Sequence, residues 1–553
     1  MFRKTSKTVQ LNLFTSPNSL FSGHTLKLYE DNGAWHNQFR QQVTMRINED
    51  LFGPLFCKNN GTPNSSIRVL IAMMVLKEAE GLSDQKIFEN CRFNMLIRSA
   101  IGLLNADDIV PTESTYYSFR KRISDYAKEG NENLLEVVFA DITKNQCIDF
   151  EVSGKRIRMD SKLLGSNIAW LSRYEIIHET FRLFYNQVKE LGKLDTKTAQ
   201  QLDYLLMLEG NKVVYTNTSE EVKTRLQQLG ELIYTILPIY SSSDSTHYKT
   251  LSRVFEEQYK VDENKIVIAR NKEEISAKSV QSPHDTDCTF RNKDGEKVKG
   301  YSINVTESCD DDKKLNLIGS VDVRKVTTSD VDFFQDDIKK VKEVFPDKTE
   351  AAHADGAYHS PDNQTFCKNN DIELYLHAIQ GATGRYQFDL SENLDLTIFD
   401  TDTNQNIEVK KITGKNNIIK WRIKQVKGYR YFTKIDIDNY MIRKKINETP
   451  IETLQKRNNV EATIFQLSYH YSNAKSRYRS EIKHKMWANT RCLWVNFVRI
   501  LNYIKKNYLT NHYFANKTIK PIFVLFDFKF KVIVEGLFAE WCTLSQHIRL
   551  SAI

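Results

Sequence analysis

Two short runs of strand-forming residues each end in an aspartate beside a small residue. Residues 156–159 are followed by Asp160, and residues 351–354 are followed by Asp355. A carboxylate at the end of a buried strand is costly to desolvate unless it meets a cation. If the two strands lie side by side in one sheet, the aspartates bring hard oxygen ligands together, which suits Mg²⁺ or Mn²⁺. The sequence therefore predicts a divalent-metal site at two strand ends.

A third carboxylate, Glu461, belongs to a later helical segment. Val460, Ile464 and Leu467 share one face of that helix, and Glu461 lies at the edge of the face. Three carboxylates can hold two divalent ions about 4 Å apart, which activate a water or a 3′-hydroxyl in phosphodiester transfer. We therefore predict a catalytic metal site formed by Asp160, Asp355 and Glu461.

Each carboxylate also has a purely structural alternative. Asp160 could cap a turn, and the Asp-Gly pair at Asp355 is a common turn signal. Glu452 and Glu481 are rivals of Glu461, because glutamates are common on helix surfaces.

The elements that would position these side chains follow from periodicity. After Asp160 comes a helical block over 166–265, then strands over 298–306 and 317–326. An amphipathic helix over 329–346 precedes the strand before Asp355. A short helix from Ser360 and a strand over 372–377 come next. This order implies a mixed sheet with crossover helices, and the long gaps between the carboxylates require insertions.

Two regions outside this sheet have the composition of DNA-binding surfaces. The N-terminal helices end in a basic, aromatic helix over 113–126, typical of a helix-turn-helix reader, although a plain helical bundle with a solvated basic face is the alternative. Residues 385–447 alternate like β-strands and interleave cations with aromatics, which suits phosphates and exposed bases, although a half-buried antiparallel sheet gives the same alternation. A third basic run covers 475–485. The candidate DNA contacts are Arg120, Lys121, Arg122, Lys420, Trp421, Arg422, Lys424, Arg430, Lys475, Arg477 and Arg479.

The bulk composition is that of an ordinary water-soluble chain. It has 553 residues, 41% hydrophobic content and a net charge of +8, which permits nucleic-acid binding without requiring it. No run of about 18 apolar residues predicts a membrane span, and the first residues lack the apolar core of a signal peptide. The eight cysteines contain no CxxC pair, which fits a reducing cytosol.

Five segments together resemble the successive motifs of bacterial insertion-sequence transposases of the DDE type. They are RMDSKLLGSNI at 158–168, SPHDTD at 282–287, KGYSINVT at 299–306, DGAY at 355–358 and VEATI at 460–464. The resemblance extends over roughly 15–505. It implies a ribonuclease H-like core that cuts and rejoins DNA with Mg²⁺. Asp160 and Asp355 match the two aspartates of that family, and Glu461 matches its glutamate.

The match departs from a related signature, Tyr-x2-Arg-x3-Glu-x6-Lys, around the glutamate. Arg457 stands at the arginine position, but Leu454 and Ser468 replace the tyrosine and the lysine. Donors to the flanking phosphate are therefore partly missing, and Lys475, Arg477 or Arg479 are candidates to replace them. Arg457 joins the predicted DNA contacts. Residues 430–450 contain no cysteine, so no zinc site is predicted there.

We therefore predict a multidomain α+β protein whose domains follow the segments described above. They are an all-α DNA-binding domain (1–150), a ribonuclease H-like mixed-sheet core (151–165 and 280–380), a helical insertion in that core (166–279), a β-rich insertion (381–450), a core helix with the third carboxylate and the basic run (451–510), and a C-terminal tail (511–553).

The predicted activity is DNA transposition with Mg²⁺ or Mn²⁺, using two ions. The partners would be terminal inverted repeats and target DNA, with a homodimer in the synaptic complex and no membrane. The bacterial cytoplasm, at the nucleoid, is the expected location. Two alternatives stay open: a nuclease of the same core without strand transfer, and a catalytically dead, sequence-specific DNA-binding protein.

Overall fold

The computed structural model describes residues 1–515, apart from 7–9, 192, 294, 311–314, 380–383, 392, 414–418 and 472–473. The chain forms two compact units, residues 1–499 and 500–553. The tail predicted for 511–553 lies outside the described residues from 516 onward, as does its β-like pattern at 519–534.

Helices make up much of this mixed α/β structure. The α-helices are α1 Pro17–Leu20, α2 Gly23–Glu30, α3 Trp35–Gln42, α4 Ile67–Ala79, α5 Asp84–Phe93, α6 Met95–Ile101, α7 Glu113–Lys128, α8 Leu134–Asp149, α9 Arg173–Val188, α10 Thr196–Leu206, α11 Gly210–Thr216, α12 Ser219–Ile236, α13 Thr246–Gln258, α14 Asp330–Val344, α15 Pro361–Asn369, α16 Lys434–Glu448, α17 Ile451–Gln455, α18 Asn458–Ser468 and α19 Glu481–Ala515. Short 3₁₀ helices cover Thr44–Arg46, Glu49–Leu55, Lys189–Leu191, Leu237–Tyr240, Lys272–Glu274 and Gly356–Tyr358. Among the described helices, none is long and apolar enough to cross a membrane.

The strands fall into four sheets. They are β1 Arg156–Gly165, β2 Tyr259–Val261, β3 Val267–Ala269, β4 Thr289–Lys293, β5 Glu296–Ser308, β6 Ile318–Lys325, β7 Ala351–Ala354, β8 Glu373–Leu376, β9 Tyr386–Leu390, β10 Leu396–Asp400, β11 Gln405–Ile407, β12 Lys410–Thr413, β13 Ile419–Lys424 and β14 Tyr429–Phe432.

The six-stranded sheet is the mixed sheet that the sequence predicts. Its order is β4-β5-β1-β7-β8, with β6 also paired to β5. β1 is antiparallel to β5 and parallel to β7, which is parallel to β8. Helices α14 and α15 lie in the connections that lead to the two parallel strands, as crossovers between parallel strands require. Ile157 and Met159 on β1 are fully buried, as expected for a central strand covered on its faces.

Strand β1 is longer than its sequence pattern indicates. It continues to Gly165 because residues 157–165 pair continuously with the long strand β5. Asp160 therefore lies in the middle of a strand, opposite Val305, and the prediction that it ends the strand is wrong. Asp355, in contrast, directly follows β7 as predicted.

The segment between β1 and β4 has its own apolar core. Helices α9–α13 supply most of it, with Phe181, Phe184, Leu229 and Ile233 among the buried residues. The predicted helical block is thus largely confirmed. It misses the two-stranded hairpin of β2 and β3, which the structure places at its end.

The β-rich segment consists of two three-stranded antiparallel sheets, β11-β10-β9 and β12-β13-β14, around one small core. The expected β-pattern up to residue 447 is wrong at its end, where α16 forms instead. Thr433 and Asp436 make a capping box at the start of this helix. Ile437, Tyr440 and Met441, at helical spacing, pack on the core of the segment.

Candidate active site

The three predicted carboxylates converge on one guanidinium. Arg457 Nη2 lies 3.1 Å from Asp160 Oδ2 and 3.8 Å from Asp355 Oδ2. Arg457 Nη1 lies 3.3 Å from Glu461 Oε1. The arginine side chain is 11% exposed, whereas that of Glu461 is 60% exposed, so the cluster is open to solvent on the side of Glu461.

Sheet register explains why the two aspartates meet. β1 and β7 are parallel neighbours, and Arg158 on β1 pairs with His353 on β7. Asp160 comes two residues after Arg158, and Asp355 comes two residues after His353. Because side chains alternate along a strand, both aspartates lie on the same side of the sheet as that pair. Asp355 also accepts a hydrogen bond from the backbone N–H of Gly356 at 2.6 Å, which caps the following 3₁₀ turn and fixes the carboxylate.

Helix α18 brings the glutamate close to the two aspartates, and a buried ion cluster holds the helix. Glu307 on β5 is fully buried and accepts hydrogen bonds from Arg158 Nε at 2.6 Å, Arg499 Nη1 at 2.7 Å and Thr463 Oγ1 at 2.8 Å. Burial by itself raises the pKa of Glu307, but the two arginines outweigh this and hold the pKa below its usual value. Thr463 lies two residues after Glu461, so this cluster fixes the part of α18 that carries the glutamate.

The electrostatics of the site favour an additional cation. Burial raises the pKa of Asp160, Arg457 opposes this rise, and the neighbouring charge of Asp355 adds to it. Even with Arg457 in contact, the carboxylate is therefore less easily ionised than an aspartate in water. Three carboxylates against one guanidinium leave an excess of negative charge.

The donor chemistry fits a hard divalent cation, because carboxylate oxygens are the ligands that Mg²⁺ and Mn²⁺ prefer. Within the described part of the chain, no group of three or more Asp, Glu, His or Cys side chains has the geometry of a metal site as it stands. Arg457 lies in contact with each of the three carboxylates instead. A metal would require this arginine to move relative to them.

A second buried network lies behind the site, and the sequence patterns did not reveal it. Asp337 on α14 accepts hydrogen bonds from Ser320 Oγ at 2.7 Å and from Asn304, whose side-chain oxygen accepts one from Tyr358. Burial raises the pKa of Asp337 to about 6. Asn304 lies in the KGYSINVT motif and Tyr358 in the DGAY motif, and this membership was the signal in the sequence that could have pointed to the two residues. The network joins β5, β6, α14 and the turn after Asp355.

Two of the predicted N-terminal contacts line a cavity of about 490 Å³. Arg120 lies 3.5 Å from Asp84 and over the ring of Tyr116, and Lys121 lies 3.8 Å from Asp125. Arg122, also on α7, packs over the ring of Phe56 outside this cavity. All three are on the helix that the sequence identified.

The predicted contacts in the β-rich segment separate onto two faces of one sheet. Trp421 is 2% exposed in the small core, where its Nε1 donates to Leu394 O at 3.2 Å, so its ring cannot stack on a base and that prediction is wrong. Lys420 and Lys424 are exposed on the opposite face, and Arg422 is half-buried there. Arg430 is exposed beside the rings of Tyr386 and Phe432. Side chains alternate along a strand, so the sequence already indicated that Trp421 lies on the other face of the sheet from Lys420 and Arg422.

The basic run near 475–479 has structural partners. Lys475, Arg477 and Arg479 donate to the backbone oxygens of Ile168, Gly81 and Asn167, respectively. These bonds fasten the run to the chain after β1 and to the loop after α4.

Sequence reasoning missed a different lysine beside the site. Lys162 lies on β1, two residues after Asp160, and its Nζ is 3.0 Å from Ser468 Oγ on α18. Ser468 is the position at which the related signature has its lysine. The ammonium group of Lys162 on β1 therefore lies beside residue 468, where the related signature has its own lysine.

Comparison with known proteins supports a transposase. A family model described as "Transposase domain (DUF772)" matches residues 30–122, which include α3–α6 and the first part of α7. No curated protein and no solved structure gives a significant match to the chain. The matched region lies before the carboxylates and includes Arg120, Lys121 and Arg122.

Proposed function

We propose that this protein is a DDE-type transposase that cuts and joins the DNA of an insertion sequence. The observation that carries the proposal is the convergence of Asp160, Asp355 and Glu461, from two strands and a distant helix, on Arg457. The transposase-domain match at 30–122 supports the same conclusion from an independent part of the chain.

The six-stranded sheet would be the ribonuclease H-like core that the sequence motifs imply. Three antiparallel strands, β1, β5 and β6, are followed by two parallel strands reached through helices, which supports this assignment. In a mixed sheet of this kind, ligands gather at the edge where neighbouring strands deliver polar residues. Asp355 follows the carboxyl end of β7, and Asp160 lies beside it in the middle of the neighbouring strand β1.

In the proposed reaction, the three carboxylates would hold Mg²⁺ or Mn²⁺, and the bound ions would supply Lewis-acid activation of the attacking oxygen and stabilisation of the leaving oxygen. Asp160 and Asp355 are held rigidly by the sheet and by the turn after β7, so they would fix the position of the scissile phosphate. Glu461, on the exposed side of the cluster, would complete the site. Arg457 and Lys162 would carry positive charge to phosphates beside the scissile bond.

The N-terminal helices would recognise the terminal inverted repeats through Arg120, Lys121 and Arg122 on α7. Target DNA would enter at the carboxylate site. We propose a homodimer as the active species, because two element ends must be processed together, and the nucleoid of the cytoplasm as the place of action.

The test is a strand-transfer assay with Mg²⁺ on DNA that carries the sequences flanking the gene. We expect nicked and joined products from the wild type and a loss of about 10⁴-fold or more in Asp355→Asn. Asparagine still accepts the bond from Gly356 N–H, so the turn is preserved. Asp362→Asn, an exposed acidic residue on α15, is the matched control and should cut normally.

Two outcomes would replace the proposal. Nicking without joined products would identify a nuclease with the same site. Binding of the end DNA by both wild type and Asp355→Asn without cleavage, with Mn²⁺ as well as Mg²⁺, would identify a DNA-binding protein with an inactive site.

A further inference from the structure

The outward face of the β12–β14 sheet carries cations and aromatic rings, with Ile412 beside Lys420 on the first strand. The members of this tyrosine–lysine face are Lys410, Lys420, Arg422, Lys424, Tyr429 and Tyr431. The inward face of the same strands carries Trp421, Ile423 and Phe432, which form part of the buried core. Burial of these three side chains fixes which face of the strands is inside, so the tyrosine–lysine face is directed to solvent.

Strand register arranges these side chains in rows. Lys410, Arg422 and Tyr431 are directly opposite one another across the three strands, and Lys424 is opposite Tyr429 in the next row on the same face. Side chains in such cross-strand positions are near neighbours. The Arg422 guanidinium lies 4.2 Å from the centre of the Tyr429 ring, which orients that ring.

The two tyrosines are exposed far beyond what the fold requires. Tyr429 is 54% exposed and Tyr431 is 51% exposed, and they are two residues apart on one strand. Buried rings elsewhere in this segment, such as Phe388 and Phe432, supply the core. The outward rings therefore form a platform with free aromatic surface.

Among the described residues, the lysines of this face have no acidic partners. The sequence contains no Asp or Glu between Lys410 and Lys434. Within the described residues, the ammonium groups of Lys410, Lys420 and Lys424 form no ion pair, whereas Lys434 pairs with Asp438 at 2.8 Å. Unpaired cations beside exposed rings match a ligand that offers phosphates and flat bases together.

We propose that the tyrosine–lysine face binds unpaired nucleotides of DNA, with bases stacked on Tyr429 and Tyr431 and the backbone held by Lys420 and Lys424. Bases in a duplex are stacked on one another and hide their faces, so only unpaired bases can use both rings. The inference rests on the proposed function, because the unpaired nucleotides would come from the opened or cut DNA end of the element. It adds a ligand class and two residues to that function.

The test is equilibrium binding, by fluorescence anisotropy, of a labelled single-stranded oligothymidine and of a duplex of equal length, without a divalent metal. We expect the double variant Tyr429→Ala/Tyr431→Ala to bind the single strand about tenfold more weakly or worse. Loss of one stacked base is enough for a change of this size. Duplex binding should change by less than about twofold. Thermal unfolding of the variant checks that the core around Trp421 is intact.

Two further variants make the test specific. Tyr204→Ala/Tyr215→Ala removes two exposed tyrosines from the helical insertion and should leave single-strand binding unchanged. Lys420→Ala/Lys424→Ala should reduce the salt dependence of single-strand binding, lowering the slope of log affinity against log salt by about 1.4.

The inference is overturned if the Tyr429/Tyr431 variant, folded as judged by its unfolding transition, binds the single strand like the wild type. It is equally overturned if duplex and single-strand affinities fall together, since the face would then bind backbone alone. Neither result depends on cleavage, so failure here is distinct from failure of the strand-transfer assay.

Discussion

Arg457 is the residue around which the three candidate carboxylates are arranged. Its guanidinium lies within 4 Å of carboxylates from β1, from the turn after β7 and from its own helical segment. One guanidinium faces three carboxylates, and burial raises the pKa of Asp160 although Arg457 opposes this rise. Arg457 supplies the one positive charge in contact with all three carboxylates.

This position leads to a prediction for Arg457→Ala. Removing the guanidinium frees the carboxylates and increases their attraction for a divalent cation. The affinity of the DNA-free protein for Mn²⁺ should therefore rise by about tenfold or more, a change that the loss of one close positive charge can produce. Isothermal titration calorimetry measures this change without any reaction.

Arg385→Ala is the matched control, because Arg385 pairs with Asp400 and Asp402 away from the site. It should bind Mn²⁺ like the wild type. Adding Asp160→Asn to Arg457→Ala should cancel the gain. An unchanged or lower Mn²⁺ affinity in Arg457→Ala would show that the arginine does not compete with metal.

At the scale of elements, the position of α18 depends on a charge buried in β5. Glu307 binds Arg158 of β1, Thr463 of α18 and Arg499 of α19 at once. Arg158 also donates to Lys456 O, just before α18, at 3.0 Å. The helix that carries Glu461 is therefore attached to the sheet at two points along its first turns.

We predict that Glu307→Gln lowers the free energy of unfolding by about 3–5 kcal/mol, because Arg158 and Arg499 lose their buried carboxylate. Thr463→Val removes two hydrogen bonds, the one that Thr463 donates to Glu307 and the one that it accepts from Arg499, and should cost about 1–3 kcal/mol. Urea unfolding measures both. If Glu307→Gln does not fold, Thr463→Val still reports on the cluster, and a Thr463→Val protein as stable as wild type would contradict the assignment.

The pH dependence of this effect has a definite sign. The pKa of Glu307 is lower in the folded protein than the usual 4.5, so its contribution to stability is complete above that pH. The contribution is lost as the pH falls through the folded-state pKa. The stability difference between wild type and Glu307→Gln should therefore shrink in acid and stay constant above about pH 5.

At the scale of the molecule, two segments bury cores of their own. The segment of α9–α13 encloses Phe181, Phe184, Leu229 and Ile233, and the β-rich segment encloses Ile398, Trp421 and other apolar residues. Segments with separate cores can open separately, as cooperative units of lower stability than the whole. The sheet that carries the two aspartates need not open with them.

Hydrogen exchange can test this independence. Leu229→Ala should cost about 2–5 kcal/mol locally and speed the exchange of amides in α9–α13, while amides of β1 and β5 keep their protection. Val305→Ala, a fully buried change in β5, is the matched control and should weaken the sheet itself. Equal loss of protection in both regions of the Leu229→Ala protein would show a single cooperative unit.

Local patterns in the sequence predicted much of this architecture. The 3.6-residue period located α14, β-branched runs located β5 and β6, and a strand followed by Asp355 was placed correctly. These features depend on neighbours a few residues apart, which a sequence displays directly. The same reasoning failed for α16, where alternation of cations and aromatics continued into a segment whose cap and apolar spacing are helical.

The types of the candidate site residues were determined by the sequence, and their arrangement by the tertiary structure. Pairing with β5 carried β1 past Asp160, and packing turned Trp421 inward. Only the fold could bring Lys162 to Ser468 and place Arg457 among three carboxylates, because these partners are up to about 300 residues apart in the chain. Contacts of that range arise from the joint packing of sheet and helices, which no local pattern encodes.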